Sequence, residues 1–240
     1  MATISIAHIT DLHISESLLK PNAAMRLPHR WGHDIDALYS LDAQLKATLW
    51  DALVVSGDVS RIGHRDSFVL AQNWLERDIA VGSFTIGLNL QHKSIPYVIV
   101  PGNHDRFNDS LTQDVLDDHY ATFPYIQPGS VSTCTVNGIT VNFHLYDSSC
   151  RGGGFAVGKI DQIAMTPRAC SLGTLDIAVL HHHLFPPPGY GTDIFGDVDN
   201  VDEALAYFIA CGFDAICVGH THISYGALQA FKWIEDGNTG

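Results

Sequence analysis

Two periods of apolar residues alternate along the first half of the chain. Apolar runs of strand length occupy residues 3–10, 52–58 and 94–102. Residues 34–50 and 66–77, which lie between these runs, carry apolar side chains at the spacing of an amphipathic helix. This order of strands and helices predicts an α/β fold.

The second half adds a hairpin before the same order resumes. Residues 109–123 again have helical spacing, and residues 130–149 alternate around Asn137-Gly138, a dipeptide typical of two-residue hairpin turns. A last strand, helix and strand follow, at residues 175–183, 201–212 and 214–222. We therefore predict an α/β fold with mixed sheets, in a single domain over residues 1–240. The polar segment from Ser15 to His33 is long enough to be either a functional loop or a surface excursion.

Composition narrows the classes of function. Asp and Glu outnumber Lys and Arg by 26 to 13, a net charge of −13 that disfavours a long nucleic acid as partner. A small phosphorylated substrate stays compatible with this charge if bound cations reverse the local field. The five Cys have no C-x-x-C spacing, and no run has the length of a signal peptide or membrane span. We expect a soluble, cytoplasmic protein with reduced thiols and no contact with membranes.

Chemistry-bearing residues stand where each predicted strand ends. They are Asp11 and His13 in TDLH, Asp58 in SGD, Asn103 and His104 in PGNHD, His181 in LHHH, and His220 and His222 in VGHTH. In open α/β sheets the carboxyl ends of the strands border the ligand-binding crevice, so these residues are expected to converge. His8 and His144 lie inside strands instead, which favours a place in the sheet over a role as ligands.

The set of side chains matches a site for two metal ions. Asp11 and His13, like His220 and His222, are two residues apart and point the same way in an extended segment. Carboxylate, amide and imidazole ligands favour Mn, Fe, Zn or Co over Ca. Seven ligands exceed one tetrahedral ion and suit two divalent ions that share a carboxylate. Each motif alone could be a turn, a helix cap or a surface loop, but five in order are hard to explain that way.

These ordered motifs resemble the calcineurin-like metallophosphoesterase superfamily, over nearly the whole chain. The resemblance implies a four-layer α/β/β/α sandwich with mixed sheets and a binuclear metal centre. It implies that one metal is held by Asp11, His13, Asp58 and His222, and the other by Asp58, Asn103, His181 and His220. His181 is chosen within the HHH run because relatives with HHP at this point use the first His.

The resemblance also implies catalytic roles. His104 would give a proton to the leaving oxygen, while Asp58 and Asn103 act at the reaction centre as metal ligands. Asn103, His104 and His182 are the candidate contacts to substrate. Asp105 is expected to point away from the metals and to serve the loop.

The implied activity is hydrolysis of a small phosphodiester by attack of a metal-bound hydroxide. The short N-terminal DLH and the pair Asp147-Ser148 resemble the compact cyclic-nucleotide and glycerophosphodiester phosphodiesterases. A phosphomonoesterase or a nuclease of the same fold is the alternative, and a non-catalytic scaffold would have lost ligands that this chain retains. Family members usually continue with strands beyond the last motif, so we expect the C-terminal strands of the second sheet to be missing.

Overall fold

The structure is a computed structural model, and it describes residues 2–15, 35–81, 84–106, 129–149, 157–166, 173–184 and 198–221. The strands are β1 (Ile6–Ile9), β2 (Ala52–Val55), β3 (Ile79–Val81), β4 (Phe84–Ile86), β5 (Tyr97–Ile99), β6 (Val131–Val136), β7 (Ile139–Leu145), β8 (Thr174–Val179) and β9 (Ala215–Cys217). The helices are α1 (Ile35–Ala47), α2 (Arg65–Glu76), α3 (Leu90–Lys93), α4 (Asn103–Arg106) and α5 (Val201–Cys211).

Two main sheets organise the chain. The first has the order β1-β2-β5 and is parallel throughout. The second has the order β6-β7-β8-β9, in which β6 pairs antiparallel with β7 while β7, β8 and β9 run parallel. A small antiparallel ribbon of β3 and β4 accompanies them. The predicted α/β fold with mixed sheets is therefore confirmed.

Alternating side chains of the central strands divide the interior into three apolar layers. Leu53 and Val55 of β2 pack against apolar residues of α1 and α2, on the outer side of the first sheet. Val54 points the other way and packs, with Phe143 of β7 and Val179 of β8, in the layer between the two sheets. This alternation is the period of two expected of a strand buried on both faces.

The far side of the second sheet carries the third apolar layer. Ala178 of β8 and Leu180 pack there with Ala204 and Phe208 of α5. Helices, sheet, sheet and helix thus lie in succession, which is the four-layer sandwich that the resemblance implies. A buried side chain such as Phe208 contributes about 1.5–3 kcal/mol to folding relative to an exposed one.

Most predicted elements are present but shorter at their ends, because strand pairing stops where the site loops begin. The Asn137-Gly138 turn joins β6 to β7 with φ of 53° and 80°, as a two-residue hairpin turn requires. The β3–β4 ribbon and the short helices α3 and α4 were not predicted. The predicted helix at 109–123 lies outside the described residues. Within the described part of the chain, none of the helices is both long and apolar enough to span a membrane.

Candidate metal centre

The predicted site residues lie at one edge of the two sheets, where the parallel strands end. The first sheet contributes Asp11 and His13 after β1, Asp58 after β2, and Asn103 and His104 after β5. The second sheet contributes His181 after β8 and His220 after β9. The structure therefore brings together seven of the eight residues that the strand ends predict, and His222 lies outside the described residues.

Backbone hydrogen bonds hold these loops against one another. The N–H of Asp11 donates to the carbonyl of Gly57 (3.1 Å), and the N–H of His13 donates to the carbonyl of Asp58 (2.9 Å). The N–H of His220, from the second sheet, donates to the Asp11 carboxylate over 3.0 Å. The last bond joins the two sheets directly at the site.

The buried carboxylate of Asp58 lies between two imidazoles. Its Oδ2 is 3.7 Å from His13 Nε2 on one side and 3.4 Å from His181 Nε2 on the other. Its Oδ1 accepts the backbone N–H of His104 over 2.8 Å. One oxygen is thus fixed by the backbone, while the other faces both halves of the site.

The ring of His181 presents a lone pair to other acceptors. Its Nδ1–H donates to the carbonyl of Ser56 over 2.8 Å, so the neutral ring has no proton on Nε2. That Nε2 lies 3.1 Å from Asn103 Oδ1, 3.2 Å from His220 Nδ1 and 3.4 Å from Asp58 Oδ2. The oxygens of Asn103 and Asp58 offer only lone pairs, so a positive charge beside His181 Nε2 satisfies all three atoms, and this donor set fits a bound cation.

The pKa values of His181 and Asp58 also indicate a site for a cation. Burial would lower the pKa of His181, but the carboxylates of Asp58 and Asp11, together with hydrogen bonds, raise it to about 9. Burial would raise the pKa of Asp58, but His181, followed by His104 and His13, holds it well below its usual range. The surroundings thus favour a charged carboxylate and a positive charge beside it.

Comparison with known proteins identifies the family. The family model of calcineurin-like phosphoesterases matches residues 4–224, a span that contains every predicted site residue. The chain belongs to the calcineurin-like phosphoesterase family. Members of this family are hydrolases that generally depend on two metal ions. No curated protein matches the chain.

The site of this phosphoesterase contains two clusters of candidate ligands that share one residue. His13, Asp58 and His104 form one, and Asp58, His181 and His220 form the other, each with ligand atoms within 4.8 Å of one another. Asp11 adds a carboxylate oxygen 4.0 Å from His13 Nε2. The shared Asp58 is the residue that the sequence predicts to bridge two metals.

His104 is itself a member of the first cluster, although the sequence predicts it as a proton donor and not as a metal ligand. Its Nδ1–H donates to the carbonyl of Arg61 over 2.8 Å, and its ring meets the edge of His13 at 4.5 Å between centroids. A carbonyl acceptor on one ring nitrogen is the usual arrangement of a metal-bound His, and it equally orients a proton donor. Both roles leave Nε2 as the atom that takes part in the chemistry.

Asp105 faces the loops rather than the clusters, which confirms the expectation for it. Its carboxylate accepts the N–H of Gly102 (2.9 Å) and both the N–H (2.8 Å) and the hydroxyl (3.0 Å) of Ser60. Burial and the charge of Asp58 raise the pKa of Asp105 to about 6, although the bonds from Gly102 and Ser60 oppose this rise. Asp105 therefore ties the SGD loop to the PGNH loop.

Left-handed backbone is concentrated at the candidate ligands. Asp11, His13, Asp58 and His220 have φ of 55°, 44°, 52° and 77°. Residues other than glycine rarely adopt this backbone conformation. It costs about 1–3 kcal/mol where the surrounding structure imposes it, and such strain is common at functional sites. The extended backbone predicted for Asp11 and His13 is therefore wrong, because the loop they form, bonded to Gly57 and Asp58, has left-handed backbone at both residues.

His182 and His144 are both buried, but only His182 belongs to the site. The ring centroid of His182 is 4.6 Å from that of His220. Burial, followed by the charges of His181 and His220, holds the pKa of His182 well below its ordinary value. His144 Nε2 lies 2.7 Å from Asp176 Oδ1 on the second sheet, which confirms its place there.

Proposed function

We propose that this protein is a metal-dependent phosphodiesterase that hydrolyses a small phosphodiester of the cyclic-nucleotide or glycerophosphodiester type. The observation that carries the proposal is the position of Asp58 between two clusters of ligand atoms. A carboxylate shared in this way supports two ions close together, as in two-metal hydrolytic sites. We propose Asp11, His13, Asp58 and His222 for one ion, and Asp58, Asn103, His181 and His220 for the other.

The donor atoms suit Mn, Fe, Zn or Co, because they mix imidazole nitrogen with carboxylate and amide oxygen. When bound, two such ions supply Lewis-acid activation of water and offset the charge on the phosphate oxygens. The residues of the chain must then position the substrate and manage its protons.

His104 is the residue that we propose for the leaving group. The Arg61 carbonyl fixes its ring through Nδ1, so that the second N–H of a protonated ring is at Nε2. That N–H can protonate a leaving alkoxide oxygen, which general acids accelerate by roughly 10²–10⁴-fold. Asn103 and His182 are proposed to contact the bound phosphodiester. The amide oxygen of Asn103 lies 3.1 Å from Nε2 of His181, a member of the second cluster.

The net charge supports a small substrate. A charge of −13 repels a long polyanion, whereas a single phosphodiester can reach the centre through its two cations. The preference for diesters is proposed from the resemblance of the DLH start and of Asp147-Ser148 to the compact phosphodiesterases.

Metal analysis combined with a substrate panel tests the proposal. Purified protein is loaded with Mn²⁺ and assayed on bis-nitrophenyl phosphate, nitrophenyl phosphate, 2′,3′- and 3′,5′-cyclic nucleotides and a glycerophosphodiester, with Asp58→Asn as the inactive control. We expect two ions per chain and turnover of diesters above the monoester. Faster turnover of the monoester would indicate the phosphomonoesterase alternative. Protein that binds no ions and cleaves none of these substrates would overturn the proposal.

A further inference from the structure

The segment 147–149 lies between two loops of the site. It follows β7 and is held at both ends by backbone hydrogen bonds, from Tyr146 N–H to the Val179 carbonyl (2.9 Å) and from Lys159 N–H to the Ser148 carbonyl (2.8 Å). All three of its side chains are buried. Its sequence, Asp-Ser-Ser, contains no residue assigned to metal binding, so its polar side chains need another explanation.

Ser148 is in contact with the two histidines that follow β8. Its Oγ lies 3.1 Å from the backbone nitrogen of His181 and 3.0 Å from that of His182. The same oxygen lies 3.0 Å from Nδ1 of the His182 ring. A single hydroxyl thus makes three contacts with one turn of the chain.

Counting protons fixes the direction of these three bonds. A hydroxyl has two lone pairs and one proton, and two backbone N–H groups occupy both lone pairs. The proton of Ser148 is therefore donated to His182 Nδ1, which must carry a lone pair. The neutral ring of His182 then has its proton on Nε2, an atom that is buried and has no hydrogen-bond partner among the described residues.

The neighbours of Ser148 hold the opposite loop. Asp147 pairs with Arg106 of α4, the helix that begins with Asn103. Ser149 accepts a bond from Arg106 Nε (2.9 Å) and donates one to Asp147 (2.8 Å). The segment thus connects the loop of Asn103 to the turn of His181, whose side chains are 3.1 Å apart at Asn103 Oδ1 and His181 Nε2.

We propose that Ser148 is a positioning residue of the metal centre. Its hydroxyl fixes the backbone of the turn that places His181 in the second cluster, and it holds His182 as the tautomer with its proton on Nε2. The N–H so formed is a buried neutral donor beside the ring of His220. The first part rests on the proposed metal-dependent function, whereas the tautomer of His182 does not.

The test compares Ser148→Ala with Thr140→Val, which removes a hydroxyl that contacts Thr135 near the start of β7, at the other end of that strand from the segment 147–149. Mn²⁺ binding to each variant is measured by calorimetry, and folding is checked by urea unfolding. We expect Ser148→Ala to bind one of the two ions about 10–100-fold more weakly, the usual effect of losing a group that orients a metal ligand. We expect Thr140→Val to bind both ions within about threefold of the wild type, since its hydroxyl lies at the end of β7 opposite the metal centre and orients no proposed ligand.

Long-range ¹H–¹⁵N correlation spectra of the metal-free wild-type protein provide a readout that needs no variant. We expect the His182 ring to be neutral and protonated on Nε2. A proton on Nδ1 would overturn the proposal even if Ser148→Ala failed to fold. Wild-type affinities for both ions in Ser148→Ala would overturn the positioning role alone, whereas wild-type protein that binds no metal would overturn the proposed function.

Discussion

Replacing Asp58 by Asn tests the centre most directly, because the change removes a charge and keeps the shape. The backbone N–H of His104 can still meet the amide oxygen at the position of Oδ1. What is lost is the negative charge that lies 3.4 Å from His181 Nε2 and 3.7 Å from His13 Nε2. Two unit charges about 4 Å apart interact by about 4 kcal/mol at an effective dielectric constant of about 20. An ion held by Asp58 should therefore bind about a thousandfold more weakly.

The assay is metal content after dialysis against a limiting chelator, together with Mn²⁺ titration, and Asp105→Asn is the matched control. Asp105 is another buried carboxylate, but its oxygens accept backbone and hydroxyl bonds from Ser60 and Gly102. Asp58→Asn should weaken the binding of both ions. Asp105→Asn should lower the free energy of unfolding by about 1–3 kcal/mol, since it leaves buried donors facing an amide N–H₂ group. The reasoning is refuted if Asp58→Asn retains two ions with wild-type affinity.

Three further tests, which use four substitutions, address the proton donor, the backbone of the site loop and the second sheet. His104→Ala should retain both ions, and its turnover of alkyl diesters should fall by about 10²–10⁴-fold, with a much smaller loss on nitrophenyl esters. Equal losses on both kinds of substrate would exclude the role of His104 as general acid. Loss of an ion would show that His104 is a metal ligand. Gly57→Ala, in which the new Cβ would lie 2.5 Å from His181 Nδ1, should weaken metal binding. Gly138→Ala, where φ is also positive but the space is open, should cost only about 1 kcal/mol of backbone strain in urea unfolding. Burial opposes charge on Asp176, but hydrogen bonds from His144, Thr174 and Asn142 lower its pKa. The charged carboxylate therefore stabilises the folded protein above about pH 4, and this contribution to stability is lost as the pH falls through the folded-state pKa. Asp176→Asn should therefore destabilise the protein at neutral pH, and the difference in urea midpoint from the wild type should shrink as the pH falls below about 4; a constant difference would contradict this.

The parts of the fold that local patterns encode were predictable from the sequence. The Asn137-Gly138 turn needs no distant contact, because its two residues readily adopt positive φ. Helix α5 shows its apolar face at helical spacing and ends before Gly212, which adopts the left-handed conformation common after helices. The convergence of the site also followed from the sequence, since parallel strands bring their carboxyl ends to one edge.

What could not be predicted depends on tertiary contacts. The strands of the β3–β4 ribbon are three residues each, too short to show a period. The carbonyls of Ser56 and Arg61, which orient His181 and His104, are backbone groups that every residue possesses. The three bonds of Ser148 likewise depend on a turn that lies more than thirty residues away in sequence. The sequence pattern therefore predicts the candidate ligands, whereas the groups that orient them are identified only from contacts in the folded structure.

The strained backbone at the ligands bears on how the centre is formed. Four candidate ligands hold positive φ without being glycine, at about 1–3 kcal/mol each. The surrounding loops impose this conformation through bonds such as His13 N–H to the Asp58 carbonyl and His220 N–H to the Asp11 carboxylate. These bonds lie within the protein, so the scaffold itself contributes to placing the ligand atoms. The free energy of folding offsets the local strain that this placement costs.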